Sequence, residues 1–141
     1  MLVQEIMTKD PLTVPLETAV SDARRMMSER RIRHLLITDG HRLVGIVTDR
    51  DIRLNMPSPA TSLSVWEINY LVARLSVDSI MTAPVITVDP RRNVVGVARI
   101  MLDHKIGALP VVDEGMIVGI VTETDVLRAF AAMAESEVAA T

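Results

Sequence analysis

The sequence predicts an α+β chain of two tandem β-α-β-β-α units, and three observations carry that reading. The stretch "LVGIVTDRDI" at 43–52 returns as "IVGIVTETDV" at 117–126. Apolar residues recur at helical spacing in matching places, Val20, Ala23 and Met27 in one copy, Val94, Val97 and Met101 in the other. Each copy also carries two short apolar runs around a turn, "HLLIT-DGHR-LVGIV" and "ALPVV-DEG-MIVGIV".

The duplication holds at one offset from Met7 on Met81 to the end of the motif. "EIMT" meets "SIMT", Thr13-Val14 meets Thr87-Val88, Arg25 meets Arg99, and Ile32 meets Ile106. Neither unit is large enough to be comfortable alone, so the two should share stability. Within each, an extended segment comes first ("PLTV", "PVITV"), then a helix, then the hairpin, then a helix opening after the Thr. Asp89-Pro90 reads as an N-cap followed by Pro at the first helical position. The Met residues at helical spacing read as core filler rather than a peptide-binding surface.

Between the units, Pro57 and Pro59 break the preceding helix. Ser64-Val65-Trp66-Glu67 then fits a capping box. With Val65, Ile68, Val72 and Leu75 on one face, it predicts a helix over about 65–75. Trp66 and Tyr70 form an i,i+4 couple that suits either packing of this linker helix or a subunit contact. The organisation is therefore a first unit at 1–63, a linker helix at 64–76 and a second unit at 77–141.

Composition narrows the function. Aromatics are 2% of a chain that is 49% hydrophobic, so the core is aliphatic and methionine-rich. The absence of Cys removes disulfides, thiolate metal sites and Cys nucleophiles, and fits a cytoplasmic setting. No apolar run approaches the roughly 20 residues that span a bilayer, and "MLVQEIMTKD" does not read as a signal peptide. A net charge of −3 and one each of Trp, Tyr and Phe argue against nucleic acid; the Arg-rich run 24–33 is the only support for it. Arg24, Arg25, Arg30 and Arg31 read as a solvated helix face with Glu29 as partner, His41 as exposed in a turn, and His104 as a helix-end cation. The motifs expected of an enzyme are missing: no H-E-x-x-H, no Walker loop, no supported Ser-His-Asp set, and Asp49 with Asp51 (or Glu123 with Asp125) is a poor basis for Mg²⁺.

The Thr-x-x-Asp steps, Thr48 to Asp51 and Thr122 to Asp125, have two readings. Each is a helix start in its own right, contributing about 1 kcal/mol as a cap. The same groups can also hold a ligand: a carboxylate can accept from both hydroxyls of a ribose, and a Thr hydroxyl beside open helix amides suits a phosphate.

The tandem unit, with its paired Gly-x-x-Thr-x-x-Asp motifs and "ALPVVD" strand, resembles the cystathionine β-synthase (CBS) domain over residues 3–54 and 77 to about 133. The first unit departs at Leu36, where the second has Pro110. The linker resembles that of bacterial CBS-pair proteins related to an acetoin-utilisation regulator. The resemblance implies two units about an approximate two-fold axis, packed through their sheets as one module, and a homodimer. It implies regulation rather than catalysis, with no cofactor required: an adenosine nucleotide (AMP, ADP or ATP; S-adenosylmethionine is a further candidate) bridges the two repeats, and a separate target protein reads the change.

By the same resemblance, Asp51 and Asp125 take ribose, Thr48 and Thr122 lie near ribose or phosphate, and apolar strand residues enclose the adenine. Arg33, His34 and Arg50 match positions that contact phosphate and would serve the nucleotide held by Asp125. The second unit has Gly107, Ala108 and Thr124 there, so the Asp51 site is expected to be weak, empty or tolerant of nucleosides. A purely structural or dimerising module is the alternative, and a nucleic-acid-associated regulator a weaker one.

Overall fold

A computed structural model describes residues 1–57 and 62–140. Its elements run α1 (Val3–Ile6), β1 (Thr8–Lys9), β2 (Thr13–Pro15), α2 (Val20–Arg30), β3 (His34–Asp39), β4 (Arg42–Thr48) and α3 (Asp49–Leu54). They continue with α4 (Val65–Ala73), a 3₁₀ turn at Val77–Ser79, α5 (Val94–His104), β5 (Ala108–Asp113), β6 (Met116–Thr122) and α6 (Glu123–Ala140). Pro59, expected to help end the preceding helix, lies outside the described residues.

Two compact units result: Leu12–Val85, and Met1–Pro11 with Ile86–Thr141. In the first, β3 and β4 form the antiparallel hairpin, from His34 opposite Thr48 to Asp39 opposite Arg42, and β2 joins β3 in parallel. The helical spacing of the apolar residues does what it predicts: Val20, Ala23 and Met27 turn one face of α2 onto Val14, Leu35, Ile37, Val47 and Ile52. In the second unit, β5 and β6 repeat the hairpin, and Val97 and Met101 of α5 close on Leu109, Val111 and Val121. Its turn places Glu114 and Gly115 both at positive φ, 49° and 79°, as a two-residue hairpin turn with right-handed strand twist requires.

The units do not follow the duplication. Each takes its closing segment from the other repeat. Thr8 and Lys9 add to β6 opposite Ile120 and Gly119, while Thr82 bridges Ile46 on β4 through both backbone hydrogen bonds, 2.9 and 3.1 Å. The methionines before these threonines explain the motif glycines. A Cβ on Gly119 would come within 2.6 Å of Met7 Sδ and 2.9 Å of the Thr8 carbonyl; one on Gly45 would lie 2.2 Å from Met81 Sδ. Glycine stands there because a thioether lies across the strand.

Several expectations need correction. Asp89-Pro90 does not start α5, whose N-cap is Asn93, with its side-chain oxygen accepting from Val95 N–H at 2.8 Å. The Pro90 and Arg92 carbonyls accept from Gln4 and Val3 of α1, which fixes 89–92 as a turn, and the Asp89 carboxylate goes to Arg91. The linker helix stops at Ala73 rather than 75, and Val65 faces solvent instead of joining Ile68, Val72 and Leu75. In its cap, Ser64 accepts from Glu67 N–H at 3.2 Å but gives its hydroxyl to the Glu67 carboxylate, so the reciprocal backbone bond of a full box is replaced. In the second repeat the extended segment shrinks to a single parallel bridge, Val88 to Val111.

Candidate ligand-binding site

Each hairpin delivers its second strand into a helix through Thr. Thr48 Oγ1 accepts from Asp51 N–H at 3.0 Å, and Asp51 Oδ2 accepts from Thr48 N–H at 2.9 Å, a closed capping box on α3. On α6, Asp125 Oδ2 accepts from both Thr122 N–H (2.9 Å) and the Thr122 hydroxyl (3.0 Å), and Thr122 Oγ1 accepts from Asp125 N–H at 3.3 Å. The helix-start role is therefore realised in both copies.

Capping occupies one carboxylate oxygen and leaves the other. Oδ1 of Asp51 takes no hydrogen bond among the described residues. Among the described residues, Oδ1 of Asp125 is met only at 3.5 Å, by the exposed Arg128. An ionised carboxylate has about four acceptor positions, so a cap and a ligand can share it. The two acids differ in depth. Asp125 is 7% exposed, whereas Asp51 is half-buried. Burying a charge is costly without such partners.

The hairpin register also fixes what surrounds each acid. His34 opens β3 directly opposite Thr48, and the Arg33 carbonyl accepts from Asp49 N–H at 3.0 Å. Arg33, His34, Thr48, Arg50 and Asp51 thus meet at one corner of the Leu12–Val85 unit, with Arg33 and Arg50 exposed and His34 half-buried. Thr122 and Asp125 belong to the other unit. There Ala108 lies opposite Thr122, and the Gly107 carbonyl accepts from Glu123 N–H at 2.9 Å. The two corners match in backbone and differ in charge.

The other sequence candidates lie outside the Thr–Asp boxes. Arg24, Arg30 and Arg31 are exposed, and Arg25 lies between Asp22 (3.2 Å) and Glu29 (4.0 Å) on the outer face of α2. His41 is exposed in the hairpin turn and His104 is the last residue of α5. Among the described residues no group of His, Asp and Glu could hold a metal ion, and no helix is long and apolar enough to cross a membrane.

Sequence reasoning missed three features. The Met7–Gly119 and Met81–Gly45 contacts were visible as paired letters but not as partners. Arg128 against Asp125 is an i,i+3 pair that could have been read on the helix. Arg91 bridges Asp89 (2.8 Å) and Asp113 (2.9 Å), and its guanidinium, with its N–H, holds the exposed Asp89 carboxyl down to about 2.

Two tandem hairpin-and-helix units with paired Gly-x-x-Thr-x-x-Asp corners define a CBS domain pair. The chain belongs to the CBS domain family, whose model matches residues 3–58 and 77–132. It is 33% identical over 128 residues to a CBS domain-containing protein of Dictyostelium discoideum, covering 89% of this chain and 88% of that one. Other relatives are longer: the chain spans 47% of an uncharacterized Methanocaldococcus jannaschii protein and 23% of a Korarchaeum cryptofilum inosine-5′-monophosphate dehydrogenase. Among solved structures, one attributed to acetoin utilization (AcuB) from Vibrio cholerae superposes with a TM-score of 0.78 at 30% identity, over 97% of this chain and 95% of that one. The CBS domain pair of protein MJ0100, in complex with 5′-methylthioadenosine and S-adenosyl-L-methionine, gives 0.78 at 31% identity over 94% and 98%. CBSX2 in complex with AMP gives 0.74 at 29% identity over 94% and 97%.

Proposed function

We propose that this CBS pair is a non-catalytic regulatory module that binds adenosine nucleotides at its Thr-x-x-Asp corners and passes the change to a separate protein. Asp125 and Asp51 accept from ribose hydroxyls, Thr122 and Thr48 add a hydroxyl, and Arg33, His34 and Arg50 meet phosphate of the nucleotide held by Asp125. The observation that carries this reading is the Asp125 carboxylate: nearly buried, one oxygen committed to its cap, the other met, among the described residues, by a single long contact from an exposed arginine. Structural relatives solved with AMP, or with 5′-methylthioadenosine and S-adenosyl-L-methionine, support the ligand class. Trp66 and Tyr70, 83% and 57% exposed on α4, support pairing into a homodimer.

A module that only caps its helices is the second reading, favoured by the completeness of both Thr–Asp boxes. Thermal unfolding separates the two. A ligand at 100 times its dissociation constant stabilises the native state by about 2.7 kcal/mol, which raises the melting temperature by several degrees. AMP, ADP, ATP, adenosine and S-adenosylmethionine are the compounds to test. A shift with at least one is expected; none at millimolar concentration leaves the capping reading standing.

A further inference from the structure

The two corners share their backbone and differ twice in charge. At the first, Asp49 Oδ2 pairs with Arg53 at 3.1 Å and Oδ1 accepts from Arg50 N–H at 2.9 Å, so this acid is held against its own helix. Arg33 and Arg50, joined to Asp49 through their backbones, are exposed residues. At the second, Glu123 takes the place of Asp49 and Leu127, 66% exposed, that of Arg53. Among the described residues no cation pairs with Glu123, since Arg128 reaches Asp125 instead. One methylene longer than aspartate, the Glu123 side chain folds over Gly107. A Cβ at that glycine would come within 3.2 Å of Glu123 Oε1 and 3.3 Å of its Cδ. Where one corner presents Arg33, the other presents a carboxylate, and the glycine leaves it room.

We infer that Glu123, seated over Gly107, makes the second adenosine position, the one the reading above gives to Asp51, exclude anions, so that it takes an adenosine derivative whose 5′ substituent carries no negative charge. This rests on the adenosine reading above and adds to it a residue that sets specificity. A missing cation lowers phosphate affinity; a carboxylate without a partner in its place repels phosphate. A neutral thionucleoside or a cationic sulfonium nucleoside meets no such repulsion, and the sulfonium is attracted.

Calorimetric titration of the whole protein at low ionic strength tests this with AMP, 5′-methylthioadenosine and S-adenosylmethionine as probes. The wild type should take AMP at one position per chain and 5′-methylthioadenosine at two. Glu123→Gln removes the charge. Leu127→Arg leaves Glu123 in place and supplies the partner that Arg53 gives Asp49. Each should strengthen AMP at the second position about fivefold, weaken S-adenosylmethionine there, and leave 5′-methylthioadenosine unchanged. The gain should shrink as salt rises, because the group is exposed. AMP and 5′-methylthioadenosine moving together in both variants, or neither moving, overturns the inference while leaving the adenosine reading intact. Failure of every probe on the wild type overturns both.

Discussion

Asp125 caps its helix with one carboxylate oxygen and, in the reading proposed above, offers the other to a ligand. Its Oδ2 serves the Thr122 backbone and hydroxyl, and its near-burial makes the loss of these bonds more serious than at the half-buried Asp51. Asp125→Ala should therefore cost about 2 kcal/mol in urea unfolding and Asp51→Ala about 1 kcal/mol. Asp125→Asn, which keeps an acceptor for Thr122 N–H, should cost less than the alanine. Equal costs for the two alanine variants would contradict the difference in depth. A different residue-scale test concerns pH. Arg91 holds the Asp89 carboxyl at about 2, below its ordinary 3.8, so its stabilising effect is complete above 3.8 and fades as pH falls towards 2. Arg91→Ala should raise the Asp89 titration, followed by NMR, part of the way towards 3.8, because the N–H of residue 91 still donates to the carboxylate; an unchanged titration would show that the guanidinium is not the cause.

At the scale of elements, the exchange of leading segments accounts for the motif glycines. An added methyl at Gly119 meets the Thr8 backbone as well as Met7, whereas at Gly45 the nearest atoms all belong to the flexible Met81 side chain. Gly119→Ala should cost about 1–3 kcal/mol and Gly45→Ala clearly less, with Met81→Ala relieving part of the latter in a double-mutant cycle. The hairpins and α2 and α5 were legible because alternation and helical spacing act within a dozen residues. The exchange was not. Met7 and Met81 sit in nearly identical words, as do Gly45 and Gly119, so local chemistry cannot say which methionine crosses which strand. The start of α5 was hidden for a related reason: Asp89-Pro90 has the letters of a helix start, but α1, far away in sequence, takes the carbonyls of Pro90 and Arg92. At the corners, the Thr–Asp bonds could be read from spacing, while the reach of Glu123 over Gly107 needed the backbone in place.

For the whole molecule, two copies of one corner have come to carry opposite charge around the same capped backbone. Arg33 and Arg50 stand beside one, and Glu123 without a partner among the described residues beside the other. Duplication supplies the scaffold twice, and a few substitutions suffice to make the positions chemically distinct. Under this account the two respond to different adenosine compounds, so that a partner protein can read two signals from one module. The exposed Trp66 and Tyr70 belong to the same scale. If α4 forms a subunit contact, Trp66→Ala should shift the protein towards monomer in analytical ultracentrifugation, and a wild type that sediments as monomer would contradict it. The most direct measurement is calorimetric titration of AMP into the wild type, Asp125→Asn and Asp51→Asn. The account expects AMP to bind the wild type, to weaken about tenfold or more in Asp125→Asn, and to remain unaffected in Asp51→Asn. AMP binding lost in Asp51→Asn and kept in Asp125→Asn, or no binding to the wild type, would contradict it.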